Sequence, residues 1–194
     1  MVKNIVYKQA DSDKELRQIL NLQRKNLSQN LTQEQINSQG FVTVNHDYSV
    51  LSKMNNLEKC IIAKSNTGKS ENEVIAYLLA MRSELRNDVP VLVPMFDVFD
   101  KLIHKNKKLN EYNYIVVGQV CVAEGFRGQG ILDDCYAEYK RLLSPKYDFA
   151  LTEIDSKNQR SINAHRRIGF ELLHNYTSPD NQNWDIIIWD WNKK

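Results

Sequence analysis

The chain has 194 residues, of which 42% are hydrophobic and 26% charged, a length typical of one domain with a substantial core. Its 26 basic and 24 acidic side chains give a net charge of +2, which argues against a general nucleic-acid-binding protein with a strongly basic face. The 3 cysteines lie in apolar runs without a CxxC pair, which favours reduced core thiols in a cytoplasmic protein. The first residues lack the apolar stretch of a signal peptide, and no apolar run approaches the ~20 residues of a membrane span.

The first half of the chain alternates short strands and helices. Ser12-Asp13-Lys14-Glu15 has the pattern of a capping box, and apolar residues follow it at helical spacing. Two β-prone runs flank the polar stretch Ser65 to Asn72, which predicts a hairpin. The predicted elements are a strand at 3–9, a helix from the Ser12 cap to about residue 27, a helix at 32–38, an ambiguous segment at 51–57, and strands at 59–64 and 73–81.

The second half contains a strand–helix–strand unit between residues 114 and 154, which implies a parallel crossover. Its elements are a helical repeat from Phe96 to Ile103, strands at 114–122 and 149–154, helices at 131–143 and 158–168, and a last hairpin of strands at 170–176 and 184–191. The sequence therefore predicts an α/β (mixed α+β) single domain over residues 1–194. Its centre is a mixed, mostly antiparallel twisted sheet of about seven strands, with helices on both faces.

A glycine-rich turn joins the strand at 114–122 to the helix at 131–143. In Arg127-Gly128-Gln129-Gly130, glycines allow close approach of the backbone, and the following helix start offers unpaired amides. This combination suits a phosphate or pyrophosphate, although an ordinary tight turn with a cap explains the turn alone equally well. The chain has neither GxxxxGK[ST] nor GxGxxG, so two common phosphate-binding loops are excluded.

Two motifs resemble the signatures of the GNAT superfamily of N-acetyltransferases. Val120-x-Val122 followed by Arg127-Gly128-Gln129-Gly130-Ile131 is similar to the acetyl-CoA signature of that family. Asn158, Ser161, His165 and Gly169-Phe170 are similar to its second signature, with His165 in place of the usual tyrosine. The motifs occur in the family's order, the core signature covers about 114–171, and the predicted elements match from the first strand to the last.

The resemblance implies a site for acetyl-CoA as cosubstrate, and no metal ion is expected because the histidines lack metal-ligand spacing. The backbone of Val120, Cys121 and Val122 would pair with the pantetheine arm like an added strand. Asn158 would bond the pantetheine or thioester region, with Ser161 beside it. Leu132 stands where the family prefers Gly or Ala, so its side chain is expected to point away from the pyrophosphate. The turn residues expected to hold the pyrophosphate, mainly through the amides from Gln129 onward, are Arg127, Gly128, Gln129, Gly130, Ile131 and Leu132.

Acetyl transfer to an amine requires a base, because a lysine-like amine titrates near 10.4 and an α-amine near 8. Glu153, on the predicted strand 149–154, matches a glutamate assigned as base in the ribosomal-protein alanine N-acetyltransferase branch; the alternative is a solvated surface carboxylate. Glu124 is a weaker candidate. His165 holds the position of the family's acid; the alternative is a helix histidine packed on the sheet with both nitrogens bonded.

The acceptor is less well defined by the sequence. The resemblance implies that residues 24–54 and 82–110 bind a primary amine of a small molecule, peptide or protein. Residues 40–47 are apolar with a polar end, which suits a substrate wall or equally core packing, and Pro94 to Asp97 are candidates for the opposite wall. Asp47, Asp97 and Asp100 are candidates to attract a cationic amine, or else solvated charges. A non-catalytic acyl-CoA-binding module with the same fold is the alternative function. No nucleic-acid or membrane partner is expected, and the sequence leaves a homodimer open.

Overall fold

A seven-stranded sheet forms the centre of the computed structural model, which describes residues 4–66 and 72–192. The strands are β1 (Ile5–Gln9), β2 (Ile61–Ser65), β3 (Val74–Met81), β4 (Ile103–His104), β5 (Lys107–Lys108), β6 (Tyr114–Val122), β7 (Phe149–Asp155), β8 (Glu171–Thr177) and β9 (Asn183–Asp190). The central order is β1-β2-β3-β6-β7-β9-β8, and β4 pairs separately with β5. The β6–β7 pair is parallel and the other neighbouring strands of the sheet pair antiparallel, which confirms the predicted sheet type.

Helices cover both faces of this sheet, as predicted. The α-helices are α1 (Asp13–Asn26), α2 (Gln33–Gln39), α3 (Tyr48–Leu57), α4 (Val93–Phe99), α5 (Ile131–Leu143) and α6 (Gln159–Ile168). α1 and α3 pack against β3 on one face, whereas α5 packs against β1, β2 and β3 on the other. Because successive strand residues point to opposite faces, Tyr77 and Leu79 join one core while Leu78 and Ala80 join the other.

Local sequence patterns predict most of the helices and strands correctly, with two differences. The ambiguous segment at 51–57 is the body of α3, whose first turn is capped by Asp47. The helical repeat from Phe96 to Ile103 is wrong at its end, because α4 stops at Phe99 and Ile103 enters the short β4–β5 hairpin. The start of the predicted first strand, residue 3, and part of the polar hairpin loop, residues 67–71, lie outside the described residues.

β6 and β7 separate along their length. They pair over Tyr114–Val116 and Phe149–Leu151, and the pairing does not continue to Val122. On its other side β6 carries a register shift against β3: Leu79 faces Gln119 and Ala80 faces Val117, which leaves Gly118 as the extra residue. A Cβ atom at Gly118 would lie 3.2 Å from the Cβ of Met81, so the close approach suits glycine. Such a bulge bends a strand and increases its twist, and this accounts for the gap beside β7.

The three cysteines are buried and unpaired, as expected for core thiols. Burial raises the pKa of Cys60 and of Cys121 to about 12, so both remain thiols near neutral pH. Within residues 4–66 and 72–192, no helix has the length and apolar character needed to cross a lipid bilayer.

Candidate active site

A cavity of about 740 Å³ lies beside the end of β6. It is lined by residues of α2, the glycine turn, the start of α5 and α6. The structure brings together here nearly all of the predicted cofactor-binding residues. Gln129 is the exception: it does not line the cavity, and its side-chain amide donates to the carbonyl of Gly125 at 3.1 Å. The predicted residues that do line it are Val120, Cys121, Val122, Arg127, Gly128, Gly130, Ile131, Leu132, Asn158 and Ser161.

The glycine turn opens onto this cavity. Gly128 and Gly130 have φ angles of +69° and +78°, a region that favours glycine. A Cβ atom built on either residue meets no atom within 4 Å, so the space above the turn is open. α5 begins directly afterwards without a side-chain cap on its first turn. Leu132 packs partly against the core on the α5 face. The turn thus has the form of an anion site at a helix N-terminus.

Three arginines line the same cavity. The Nε of Arg127 donates to the Val122 carbonyl at 2.9 Å, and its other nitrogens donate to the side chains of Gln39 and Asn26. The other two, Arg160 and Arg167, were not predicted from the sequence, and Arg160 donates to the Ser38 carbonyl at 3.0 Å. Arg160 and Arg167 stand seven residues apart on α6, a helical spacing that places both on one face and is the signal that would have found them.

The two aspartates at the start of α5 are both bound by other side chains. Asp133 lines the cavity but accepts two hydrogen bonds from Arg167, at 3.0 and 2.9 Å. Asp134 accepts one from the Tyr7 hydroxyl at 2.7 Å. Arginine side chains therefore outnumber aspartate side chains among the described lining residues of this cavity. This excess of positive charge suits an anionic ligand.

Asn158 is 7% exposed and holds two parts of the cavity wall together. Its Oδ1 accepts from the Ser161 amide at 3.2 Å and thereby caps α6, while its Nδ2 donates to the Phe41 carbonyl at 3.1 Å. Both contacts are structural. Ligand binding by Asn158 and Ser161 stays a prediction.

His165 is 2% exposed and both of its ring nitrogens have partners. The Ser161 carbonyl lies 2.8 Å from Nδ1, so Nδ1 carries the proton, and the Tyr136 hydroxyl lies 2.6 Å from Nε2 and donates to it. Burial lowers the pKa of His165 to about 4 and keeps the ring neutral at neutral pH. This is the packed histidine of the alternative interpretation. The contacts do not support His165 as the acid, which stays a prediction.

Glu153 lies on β7 at the gap between the two strands. It lines two small cavities of about 80 and 40 Å³ and a second large cavity of about 610 Å³. The Tyr176 hydroxyl donates to its Oε2 at 2.5 Å. Burial raises the pKa of Glu153 to about 7, in the range required of a general base at neutral pH. Glu124, the weaker candidate, is exposed, accepts from Gln39 at 3.2 Å and lines none of these cavities.

The 610 Å³ cavity lies on the other side of residues 41–44 and has the opposite charge. Glu153, Asp155 and Asp180 face a single cationic side chain, Lys157, among its described lining residues. Phe41, Thr43 and Val44 belong to the expected wall at residues 40–47. Its other lining residues are Ser28, Gln33, Ile36, Asn37, Val91, Leu92, Gln182 and Trp184.

The aspartates expected to attract an amine have structural roles. Asp47 caps α3 by accepting from the Val50 amide at 2.8 Å. Asp97 and Asp100 both pair with Arg86, at 2.6 and 2.8 Å. These contacts are a helix cap and two ion pairs, and the attraction of a cationic amine by these aspartates stays a prediction. Of the other expected wall, Met95 lines the 40 Å³ cavity and Phe96 is buried in the core.

The small cavities connect the two large ones through shared lining residues. Ser161 and His165 line both the 740 Å³ and the 80 Å³ cavity. Glu153 and Trp184 line both the 80 Å³ and the 610 Å³ cavity. Within the part of the chain that the structure describes, no group of three or more His, Cys, Asp or Glu side chains could hold a metal ion.

No family model and no curated protein sequence matches the chain. Solved structures do: a NatC complex bound to Gag peptide and CoA is 16% identical, covers 97% of this chain and 99% of its own, and has a TM-score of 0.66. NAA60 of Arabidopsis thaliana with a bisubstrate analogue is 12% identical, with coverages of 98% and 100% and a TM-score of 0.67. The ribosomal-protein-S18-alanine N-acetyltransferase of Escherichia coli is 8% identical, with coverages of 98% and 96% and a TM-score of 0.61. The chain thus has the fold of the GNAT N-acetyltransferases, as the resemblance of its motifs implies.

Proposed function

We propose that the protein is an acetyl-CoA-dependent N-acetyltransferase that transfers an acetyl group to a primary amine of a small molecule, peptide or protein. The observation that carries the proposal is the placement of Glu153. This carboxyl group, whose pKa burial raises to about 7, lies where a positively lined cavity and a negatively lined cavity approach each other. Such an arrangement favours the encounter of an anionic donor with a cationic acceptor.

The 740 Å³ cavity is the proposed site of acetyl-CoA. The pantetheine arm would lie along the free edge of β6 at Val120–Val122, where the strand no longer pairs with β7. The pyrophosphate would lie over the turn at Gly128 and Gly130, near the arginines of α6. Structural neighbours support this choice of ligand: the NatC structure contains CoA, and another NAA60 structure contains acetyl-CoA.

Glu153 is the proposed base. It would take the proton of the ammonium group, directly or through a water molecule, so that the neutral nitrogen attacks the thioester carbon. The C–N bond forms, the C–S bond breaks, and the electron pair of that bond leaves on the CoA sulfur, which takes up the second proton lost by the nitrogen to give the free CoA thiol. A thiol with a pKa near 8.5 is a good leaving group, so the barrier lies mainly in positioning and amine deprotonation.

The 610 Å³ cavity is the proposed acceptor site. Three carboxyl groups against one lysine favour a protonated amine in the encounter complex, and Trp184 and Phe41 offer apolar surface to the atoms that follow it. The amine would enter from the side opposite to the cofactor and meet the thioester in the gap beside Glu153.

Two measurements test the proposal. Calorimetry with acetyl-CoA should give a Kd in the micromolar range, on the order of −8 kcal/mol. Release of CoA is then followed over a panel of small amines and peptides, with desulfo-CoA as a control for binding without transfer. Binding together with amine-dependent release of CoA confirms the enzyme. Binding without release from any amine contradicts catalysis and leaves the acyl-CoA-binding module, and absence of binding contradicts both.

A further inference from the structure

We propose that Tyr176 is a positioning residue for Glu153, holding one carboxylate oxygen and leaving the other for the incoming amine. The inference rests on the proposed function, since it assigns a partner to the proposed base. Neither motif of the sequence includes Tyr176.

The contact reaches across an intervening strand. Glu153 lies on β7 opposite Ile186 of β9, and Tyr176 lies on β8 opposite Trp184 of β9. Strands lie about 4.8 Å apart, so the backbones of β8 and β7 are about 10 Å apart across β9. The side chains of Tyr176 and Glu153 together cover that interval, and the Tyr176 hydroxyl ends 2.5 Å from Oε2 of Glu153.

A register shift places Tyr176 on the correct face of the sheet. The β8–β9 pairing shifts between Leu172 and His174, so Leu173 is the extra residue. Because strand side chains alternate between faces, a change of one residue moves all later side chains to the opposite face. The shift therefore directs Tyr176 toward the same face as Glu153.

The hydrogen bond makes the two carboxylate oxygens unequal. Oε2 accepts from Tyr176, whereas Oε1 has no hydrogen-bond partner among the described residues. Glu153 lines the cavities on the acceptor side, so the oxygen without a partner is the one available to an amine. Fixing one oxygen also removes rotational freedom from the carboxyl group before the amine arrives.

The hydrogen bond from Tyr176 also affects the pKa of Glu153. Burial and the charge of Asp180 both raise the pKa of Glu153, and the Tyr176 hydroxyl opposes them because it donates to the ionised form. Other titratable groups around the shared cavities are Asp155, Lys157 and His165. Without the Tyr176 hydroxyl, burial and Asp180 would raise the pKa of Glu153 further. Its carboxyl group would then be protonated at neutral pH.

Carboxyl ¹³C NMR of the 194-residue chain tests this without requiring an acceptor. Glu153 is assigned by comparison with Glu153→Gln and titrated in the wild type and in Tyr176→Phe. The midpoint should rise by about one pH unit in Tyr176→Phe. Tyr147→Phe is the matched control, because the Tyr147 hydroxyl donates to Glu58 at 3.0 Å in another part of the molecule. An unchanged midpoint, or an equal rise in Tyr147→Phe, overturns the proposal.

A second variant and a kinetic readout complete the test. Incorporation of 3-fluorotyrosine at position 176 strengthens the donor and should lower the midpoint, whereas a rise would overturn the proposal. With a working amine, the acidic limb of kcat/KM should move up in Tyr176→Phe by the same amount, with acetyl-CoA affinity unchanged. A uniform loss of kcat at all pH values would instead show a merely structural role. If no amine reacts, the proposed function fails, while the NMR result still decides whether Tyr176 holds Glu153.

Discussion

The two large cavities on either side of residues 41–44 are built in different ways. The 740 Å³ cavity, proposed for acetyl-CoA, uses backbone: the free edge of β6 and the turn in which Gly128 and Gly130 take positive φ angles. The 610 Å³ cavity, proposed for the acceptor, uses side chains that come from α2, from the chain before α4, from β7 and from the β8–β9 hairpin. A site made of backbone needs particular residue types at fixed spacing and so leaves a motif. A site made of side chains from distant segments leaves none.

The largest expected effect is a loss of acetyl-CoA affinity caused by a substitution in the glycine turn. In Gly130→Val, a branched side chain would fill the open space over the turn, at a φ of +78° that also disfavours valine. Calorimetry should show acetyl-CoA affinity reduced by about 100-fold or more, equivalent to roughly 3 kcal/mol. Gly125→Ala is the control, since a Cβ there also meets no atom within 4 Å and its φ is not positive. Unchanged affinity in folded Gly130→Val would contradict a phosphate site at the turn.

The second effect is a fall in kcat when Glu153, which lies between the two large cavities, is replaced. Glu153→Gln keeps the shape of the side chain and removes its basicity, so kcat should fall by about 100-fold with acetyl-CoA affinity unchanged. The rate should recover as the pH approaches the pKa of the free amine. Glu124→Gln serves as the control, because Glu124 is exposed and lines none of the cavities. Wild-type turnover of Glu153→Gln at neutral pH would exclude Glu153 as the base.

The third prediction distinguishes packing from catalysis at His165. His165→Phe would leave the buried Tyr136 hydroxyl without its partner, which costs about 1–3 kcal/mol of unfolding free energy. The double variant Tyr136→Phe/His165→Phe removes both groups and should be more stable than the single variant, as measured by urea denaturation. A single variant as stable as the wild type would show that this hydrogen bond does not stabilise the core. The prediction that His165 is the acid has a separate test: His165→Tyr should retain much of the wild-type turnover.

The smallest effect is a pH dependence of stability. The pKa of Glu153 is raised from 4.5 to about 7 in the folded protein, so the folded state binds more protons than the unfolded state between these values. Its contribution is fully present below pH 4.5 and is lost as the pH rises through 7. Glu153→Gln, which cannot ionise, should therefore raise Tm by a few degrees at pH 8 and change it little at pH 4.5. Equal changes at both pH values would contradict the raised pKa.

The parts of the fold governed by nearest neighbours could be read from the sequence. The predicted strands and the predicted hairpins β2–β3 and β8–β9 are present, and Gly169 ends α6 with a left-handed φ of +115°. Ser12 accepts from the Glu15 amide as predicted, but the Glu15 carboxylate bonds Asp11 and two lysines rather than completing the capping box. Those lysines come from β1 and β2, a contact that only the folded sheet creates.

The same limit applies to the site. The free edge of β6, the glycine turn and the start of α6 were identified as one region because their residues lie within two motifs. Tyr176 and Asp180 could not be connected with Glu153, because the contact depends on the order β7-β9-β8 and on the register shift near Leu173. Gly118 was missed for a related reason: a bulge is visible as a mismatch with β3, and the sequence of β6 alone does not show it.

The strip at residues 41–44 divides the site and is held at several points. The Val42 amide donates to the Asn26 carbonyl at 2.9 Å, and the Val42 carbonyl accepts from the Ser28 amide at 3.0 Å. Gln119 donates to the Val44 carbonyl at 2.7 Å, and Asn158 donates to that of Phe41. Under the proposed function, a partition fixed in this way would let the donor and the acceptor enter from separate sides. We expect neither substrate to block the other, so steady-state kinetics should follow a random sequential scheme, with CoA competing against acetyl-CoA and the acetylated amine competing against the amine.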